Sequence, residues 1–178
     1  MYDKLYYKKG IIIEGVECAG KTTLIQKLRN EVMPWDCKML SHKSCQQFDR
    51  FITEYVIGDE VIFNRSHISE VVYSKLWNRN MPFSFEERKV LDEYIKRHYI
   101  LVLCEAETSL LVERYNSRDF KQKVTTSELD GIKQNFNSEC YNMDFVYYNS
   151  SRKESLDNII PVIQAALCVQ QNVHHSCL

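Results

Sequence analysis

No apolar run in the 178-residue sequence approaches the ~18–20 residues needed to cross a bilayer, which excludes a membrane-spanning helix. Neither sign of charge is in excess. Lys and Arg number 23 against 24 Asp and Glu, a formal net charge of −1, so there is no strongly basic field to hold a nucleic-acid backbone non-specifically. A local basic patch stays open. Prolines (3) and glycines (5) are few, and no Pro/Gly/Ser-rich linker, internal repeat or low-complexity tract divides the chain. One domain over residues 1–178 is expected, and a chain of this size buries roughly 70% of its unfolded surface. The segment from Met1 to Lys9 lacks the apolar stretch of a signal peptide, so a soluble, cytoplasmic protein is expected. No C-x-x-C occurs, and the seven cysteines are odd in number and irregular in spacing. That argues against a disulfide framework and a zinc site, and for small buried or half-buried thiols.

What is present is an alternation of short apolar runs and longer amphipathic stretches. Gly10–Glu14 reads as a fully buried strand, with β-branched side chains on both faces. Cys37–Leu40, Val61–Phe63, Tyr99–Cys104 and Phe145–Tyr148 read as further strands. Helical spacing is seen from Thr22 to Met33, along Phe48, Phe51, Ile52 and Tyr55, and from His67 to Trp77. It recurs over Ser84–Arg97, Glu107–Tyr115, Ser127–Tyr141 and Ser155–Val169. Strands alternating with helices imply a three-layer α/β domain, a parallel sheet of about five strands covered by helices on both faces.

Between the first strand and the first helix lies Gly15-Val16-Glu17-Cys18-Ala19-Gly20-Lys21-Thr22, a full G-x-x-x-x-G-K-[ST] phosphate loop in its proper strand–helix setting. The glycines let successive N–H groups turn inward toward phosphate oxygens, and the helix adds the positive end of its dipole. Gly15, Cys18, Ala19, Gly20, Lys21, Thr22 and Thr23 are therefore the candidate ATP-binding residues. Lys21 would reach the outer phosphates, and the Thr22 hydroxyl is the candidate Mg²⁺ ligand. The fold expected is a P-loop NTPase fold. Arg65 follows the third strand, at the end of a parallel sheet where ligands bind, and its planar fork suits a phosphate.

The run Ile13–Thr23 closely resembles the opening of thymidylate kinases and related deoxynucleotide kinases. The resemblance implies that Glu17 lies near the acceptor's sugar and that Arg65 grips the acceptor's monophosphate. Ser69 and Tyr73 match the serine and tyrosine that follow in that family. Arg114 and Arg118 match the arginines of its lid, here expected around residues 114–126, with Lys121 and Lys123 beside them. Lys21, Arg65, Arg114 and Arg118 are thus the candidate catalytic residues. Compact homologues of this kind occur in phages and large viruses.

Three positions depart from the family pattern. Cys18 replaces a common glycine, Asn64 the usual aspartate, and Ser74 a glutamine that contacts the thymine base. His67 reads as a packing histidine at a helix start. Three functional readings follow. The first is an ATP- and Mg²⁺-dependent kinase for a deoxynucleoside monophosphate. The second is a kinase for a hydroxyl on a nucleoside or on a hydroxymethylated base in DNA, with Glu14 or Glu17 as base. The third is a non-catalytic nucleotide-binding module. Small-molecule nucleotides are the expected partners, and the sequence leaves a homodimer open.

Overall fold

The apolar runs form β1 (Gly10–Gly15), β2 (Asp36–Met39), β3 (Val61–Asn64), β4 (Tyr99–Glu105) and β5 (Phe145–Asn149). They join in one parallel sheet in the order β2-β3-β1-β4-β5. The computed structural model describes residues 8–40, 47–118 and 124–174, with side chains of the last helix through residue 167. Lys121 and Lys123, and with them residues 119–123 of the expected lid, lie outside the described residues. The intervening helices are α1 (Lys21–Glu31), α2 (Gln47–Ile57), α3 (His67–Leu76), α4 (Phe85–His98), α5 (Thr108–Asn116), α6 (Leu129–Cys140) and α7 (Lys153–His174).

β1 lies at the centre, and Ile11, Ile12 and Ile13 are wholly buried, as residues covered on both sheet faces must be. Right-handed crossovers in this strand order put α1 on one face and α2 to α6 on the opposite one. α7 follows the last strand and lies on the α1 side, where Lys27 of α1 reaches its Asp157 at 3.4 Å, while α3 packs on α6 and α2 on α4. α4 starts directly after Ser84, which caps it. Its hydroxyl accepts from the Glu87 N–H at 3.2 Å, and the Glu87 carboxylate accepts from the Ser84 N–H at 2.7 Å.

β2 differs from its sequence reading. It begins one residue earlier, at Asp36, and all four of its residues are exposed. The apolar content of Cys37–Leu40 does not place this strand; pairing with β3 does, from Asp36 opposite Val61 to Met39 opposite Asn64. Cys18, Cys37, Cys104 and Cys140 are free thiols, Cys37 exposed and the others buried.

The sheet's side under α2 and α3 holds an aromatic cluster of Phe51, Tyr55, Phe63, Phe83 and Tyr99 around His67, with neighbouring ring centroids 5.6–6.1 Å apart. His67 is the packing histidine expected, but a hydrogen-bonded one. Its Nε2 meets Asp92 at 2.9 Å and its Nδ1 meets the Tyr55 hydroxyl at 3.0 Å, while its backbone N–H donates to that same hydroxyl at 3.1 Å. Tyr55→Phe should cost about 1–3 kcal/mol, because it leaves buried His67 groups unpaired. Urea unfolding of the variant against the parent protein measures it.

Candidate active site

The connections from β1 and β3 leave in opposite directions, so a crevice opens at the carboxyl ends of these neighbouring strands, where open α/β sheets bind ligands. Both motifs singled out in the sequence start there. Gly15 closes β1 at φ 134°, and a Cβ on it would stand 2.2 Å from the Cys104 carbonyl oxygen. Gly20, at φ 90°, caps α1, and a Cβ there would meet the Ser150 side chain at 2.9 Å. These two contacts explain why the loop needs glycine at both ends. Cys18 holds φ 64° without being glycine, a strained conformation for a side-chain-bearing residue, and burial raises the pKa of its thiol.

No acidic residue stands in the first turn of α1 and no side chain caps it, so its leading N–H groups remain available to an anion. Lys21, expected to reach the outer phosphates, is instead 9% exposed in this structure, its ammonium folded back to donate to the carbonyls of Gly15 at 2.6 Å and Val16 at 2.7 Å. Burial pushes its pKa down from 10.5 to about 8, with the nearby Arg65 charge adding to the effect.

Opposite the loop, Arg65 sits one residue past β3 at φ 76°. Its Nη2 donates to Glu17 Oε1 at 2.8 Å, and its Nη1 donates to Ser69 Oγ and to the Tyr73 hydroxyl, both at 3.2 Å. The Tyr73 hydroxyl donates to the Glu17 carboxylate at 2.6 Å, and its ring lies 5.1 Å beneath the guanidinium. The four residues that resemblance assigned to the acceptor are therefore in direct contact. Burial raises the pKa of the Tyr73 phenol, and the Glu17 carboxylate adds to that.

One cavity of about 450 Å³ joins the two halves, lined by Glu17, Cys18, Gly20, Lys21, Thr22, Thr23, Asn64, Arg65, Arg114 and Arg118, with Met39 and Ser117. Ala19 is buried within the loop itself. Arg114, in the last turn of α5, is placed differently from a purely mobile lid residue. Its Nη1 donates to the Cys18 carbonyl at 3.0 Å and to Ser150 Oγ at 2.7 Å, and its Nη2 to the Ser150 carbonyl at 3.3 Å. It braces the phosphate loop against the turn after β5. Arg118 borders the cavity one turn further on.

Sequence reasoning missed Met39, Ser117 and Ser150. Ser150 follows β5 at the carboxyl edge of the sheet, and that edge position was the available signal. Nothing local in the sequence marks the other two.

No protein-family model matches the chain, and no curated protein does. Solved structures do. The YorR protein of Bacillus subtilis, solved in complex with phosphorylated GDP, is 24% identical and superimposes with a TM-score of 0.69 over 86% of this chain and 95% of its own. The fold is that of the P-loop kinases. Deoxyadenosine kinase from M. mycoides, solved with bound dATP, shares this P-loop kinase fold at 12% identity and a TM-score of 0.53, over 86% of this chain and 98% of its own. Thymidylate kinase from Candida albicans matches over 90% of this chain and 92% of its own, at 12% identity and a TM-score of 0.51.

The Lys21 environment generates a pH dependence. Between pH 8 and 10.5 the unfolded chain holds a proton that the folded lysine has lost, so the ligand-free protein gains stability as pH rises through that window. Anion affinity moves the other way. Pyrophosphate binding should weaken above pH 8, by up to about tenfold per unit, as the ammonium deprotonates. Calorimetric titration at pH 7, 8, 9 and 10 tests it; an affinity flat across that range contradicts it.

Proposed function

We propose that the protein transfers a phosphoryl group from ATP to a deoxynucleoside monophosphate. The observation that carries the proposal is the meeting of a phosphate-loop lysine and a separate, strand-end arginine across one cavity. Two phosphate grips facing each other suit a donor and an acceptor that each carry phosphate. The named neighbours add support: two of them are kinases of a nucleoside and a nucleotide, and two were solved with phosphorylated nucleotides bound.

In this reading the loop N–H groups and Lys21 hold the donor's phosphates, exchanging the Gly15 and Val16 carbonyls for phosphate oxygens. Arg65, its Nη1 fixed by Ser69 and Tyr73, turns its other arm from Glu17 to the acceptor phosphate, and Glu17 is released toward the sugar. Burial works against the Arg65 charge, but Tyr73 and Glu17 more than offset it and raise its pKa, so it stays cationic throughout. An acceptor phosphate is already ionised near neutral pH, and no strong general base is needed. Among the described residues lining the cavity Glu17 is the one carboxylate, and its oxygens are already engaged by Arg65 and Tyr73 rather than free to meet a hydroxyl acceptor. Arg114 and Arg118 supply positive charge where the transferring group passes.

Mg²⁺ requires oxygen ligands and keeps several waters. The exposed Thr22 hydroxyl and the Asn64 Oδ1, a buried oxygen with no hydrogen-bond partner, both border the cavity, so the donor set fits the ion. When bound, the ion would neutralise charge on the donor's phosphates, and Thr22 and Asn64 are the residues that would hold it. The lid around 114–126, a single domain over 1–178 and a cytoplasmic location belong to the same proposal.

Radiolabelled ATP offered with a panel of deoxynucleoside monophosphates, nucleosides and modified DNA tests the reading. Labelled diphosphate product supports it; label on nucleosides or DNA alone overturns it, as does wild-type turnover in Lys21→Ala. Arg65→Ala should raise the acceptor KM steeply, by the equivalent of about 2–5 kcal/mol, with the ATP KM little changed. Arg65→Lys should recover only part of that loss, since an ammonium lacks the fork. The Arg114→Ala/Arg118→Ala double variant should lose about 10²-fold or more in kcat. Because Arg114 braces the phosphate loop, its ATP KM should also rise. An unchanged kcat would remove both from the chemistry and leave Arg114 as a structural brace of the phosphate loop.

A further inference from the structure

Glu14 is wholly buried at the end of β1, and no step above uses it. Its Oε1 accepts from the Ser66 N–H at 2.6 Å, the Ser66 hydroxyl at 2.5 Å and the Ser69 N–H at 3.2 Å, and its Oε2 accepts from the Ser69 hydroxyl at 2.6 Å. Four donors converge on the two oxygens, and the carboxylate is not among the residues lining the cavity. All four belong to the cap and first turn of α3, so the charge also faces the positive end of that helix.

These donors frame Arg65. Ser66 follows it directly. The Ser69 hydroxyl has committed its proton to Glu14, so toward Arg65 Nη1, 3.2 Å away, it presents a lone pair. The Arg65 N–H donates to the carbonyl of Ile13, the residue before Glu14, at 2.9 Å. A non-glycine residue at φ 76° persists only where its surroundings over-determine it, and here they are Ile13 and Glu14. We propose that Glu14 is a positioning residue for the acceptor site, its carboxylate locking the Ser66–Ser69 turn so that Ser69 orients the Arg65 guanidinium toward the cavity. The proposal rests on the reading of Arg65 as the acceptor's phosphate grip.

Two variants test it. Glu14→Gln keeps the shape but turns one acceptor oxygen into a donor facing a hydroxyl; Ser69→Ala removes the hydroxyl that joins Glu14 Oε2 to Arg65 Nη1 and keeps the three donors on Glu14 Oε1. The first measurement needs no substrate: ¹⁵N relaxation of the Arg65 Nε–H group in ligand-free protein, assigned by its disappearance in Arg65→Lys. Arg65 should become more mobile in both variants while backbone amides of β1, β4 and β5 keep their shifts; an equally ordered Arg65 in both overturns the proposal. The second is steady-state kinetics. The acceptor KM should rise about tenfold or more in both variants at an unchanged ATP KM. A loss of kcat at constant acceptor KM, in Glu14→Gln alone, would mark Glu14 as a proton acceptor and overturn it. Should the parent protein phosphorylate no monophosphate, the substrate reading falls and the relaxation arm still decides the positioning claim. If Glu14→Gln does not fold, Ser69→Ala carries both arms.

Discussion

A carboxylate buried in the middle of an apolar sheet has to be neutralised or answered by donors, and Glu14 is answered by the start of α3. Left alone, such a charge would cost several kcal/mol even after relaxation. Four hydrogen bonds and a helix terminus offset that cost, but only if β1 and α3 meet in one geometry. The crevice between β1 and β3 is therefore set by electrostatics as well as by packing. Everything on its acceptor side, from the left-handed Arg65 to the stacked Tyr73, follows from that meeting.

The donor side is held by different means. Its loop closes on backbone contacts at Gly15 and Gly20, and its free carbonyls are taken by cations of the protein itself. Lys21 occupies those of Gly15 and Val16; Arg114 occupies that of Cys18 and ties it to Ser150. Glu17 belongs to this loop yet bonds to Arg65 and Tyr73. Glu17 thus ties the phosphate loop directly to Arg65.

The parts legible in the sequence were those whose chemistry is local. Gly15 to Thr22 is eight consecutive residues, and the apolar runs before and after it announce a strand and a helix. Arg65 was found because the end of a parallel strand is a privileged place. What could not be read were partnerships across distance: Arg114 with Cys18, 96 positions away, or Ser66 with Glu14, 52 away. The burial of Lys21 was not legible for a related reason, since the carbonyls it meets are brought to it only once the loop has folded. β2 was read too late by one residue because its place is dictated by its neighbour.

β2 carries one more consequence. It is an edge strand, and an edge is a row of unpaired amides and carbonyls open to any passing chain. Here the edge is four residues long, begins on Asp36, and bears Lys38, which reaches across to Glu54 at 3.3 Å. A sixth strand added from outside would have to strip water from both charges for the sake of a few hydrogen bonds. The charges at Asp36 and Lys38 therefore set a desolvation cost against extending the sheet at its β2 edge.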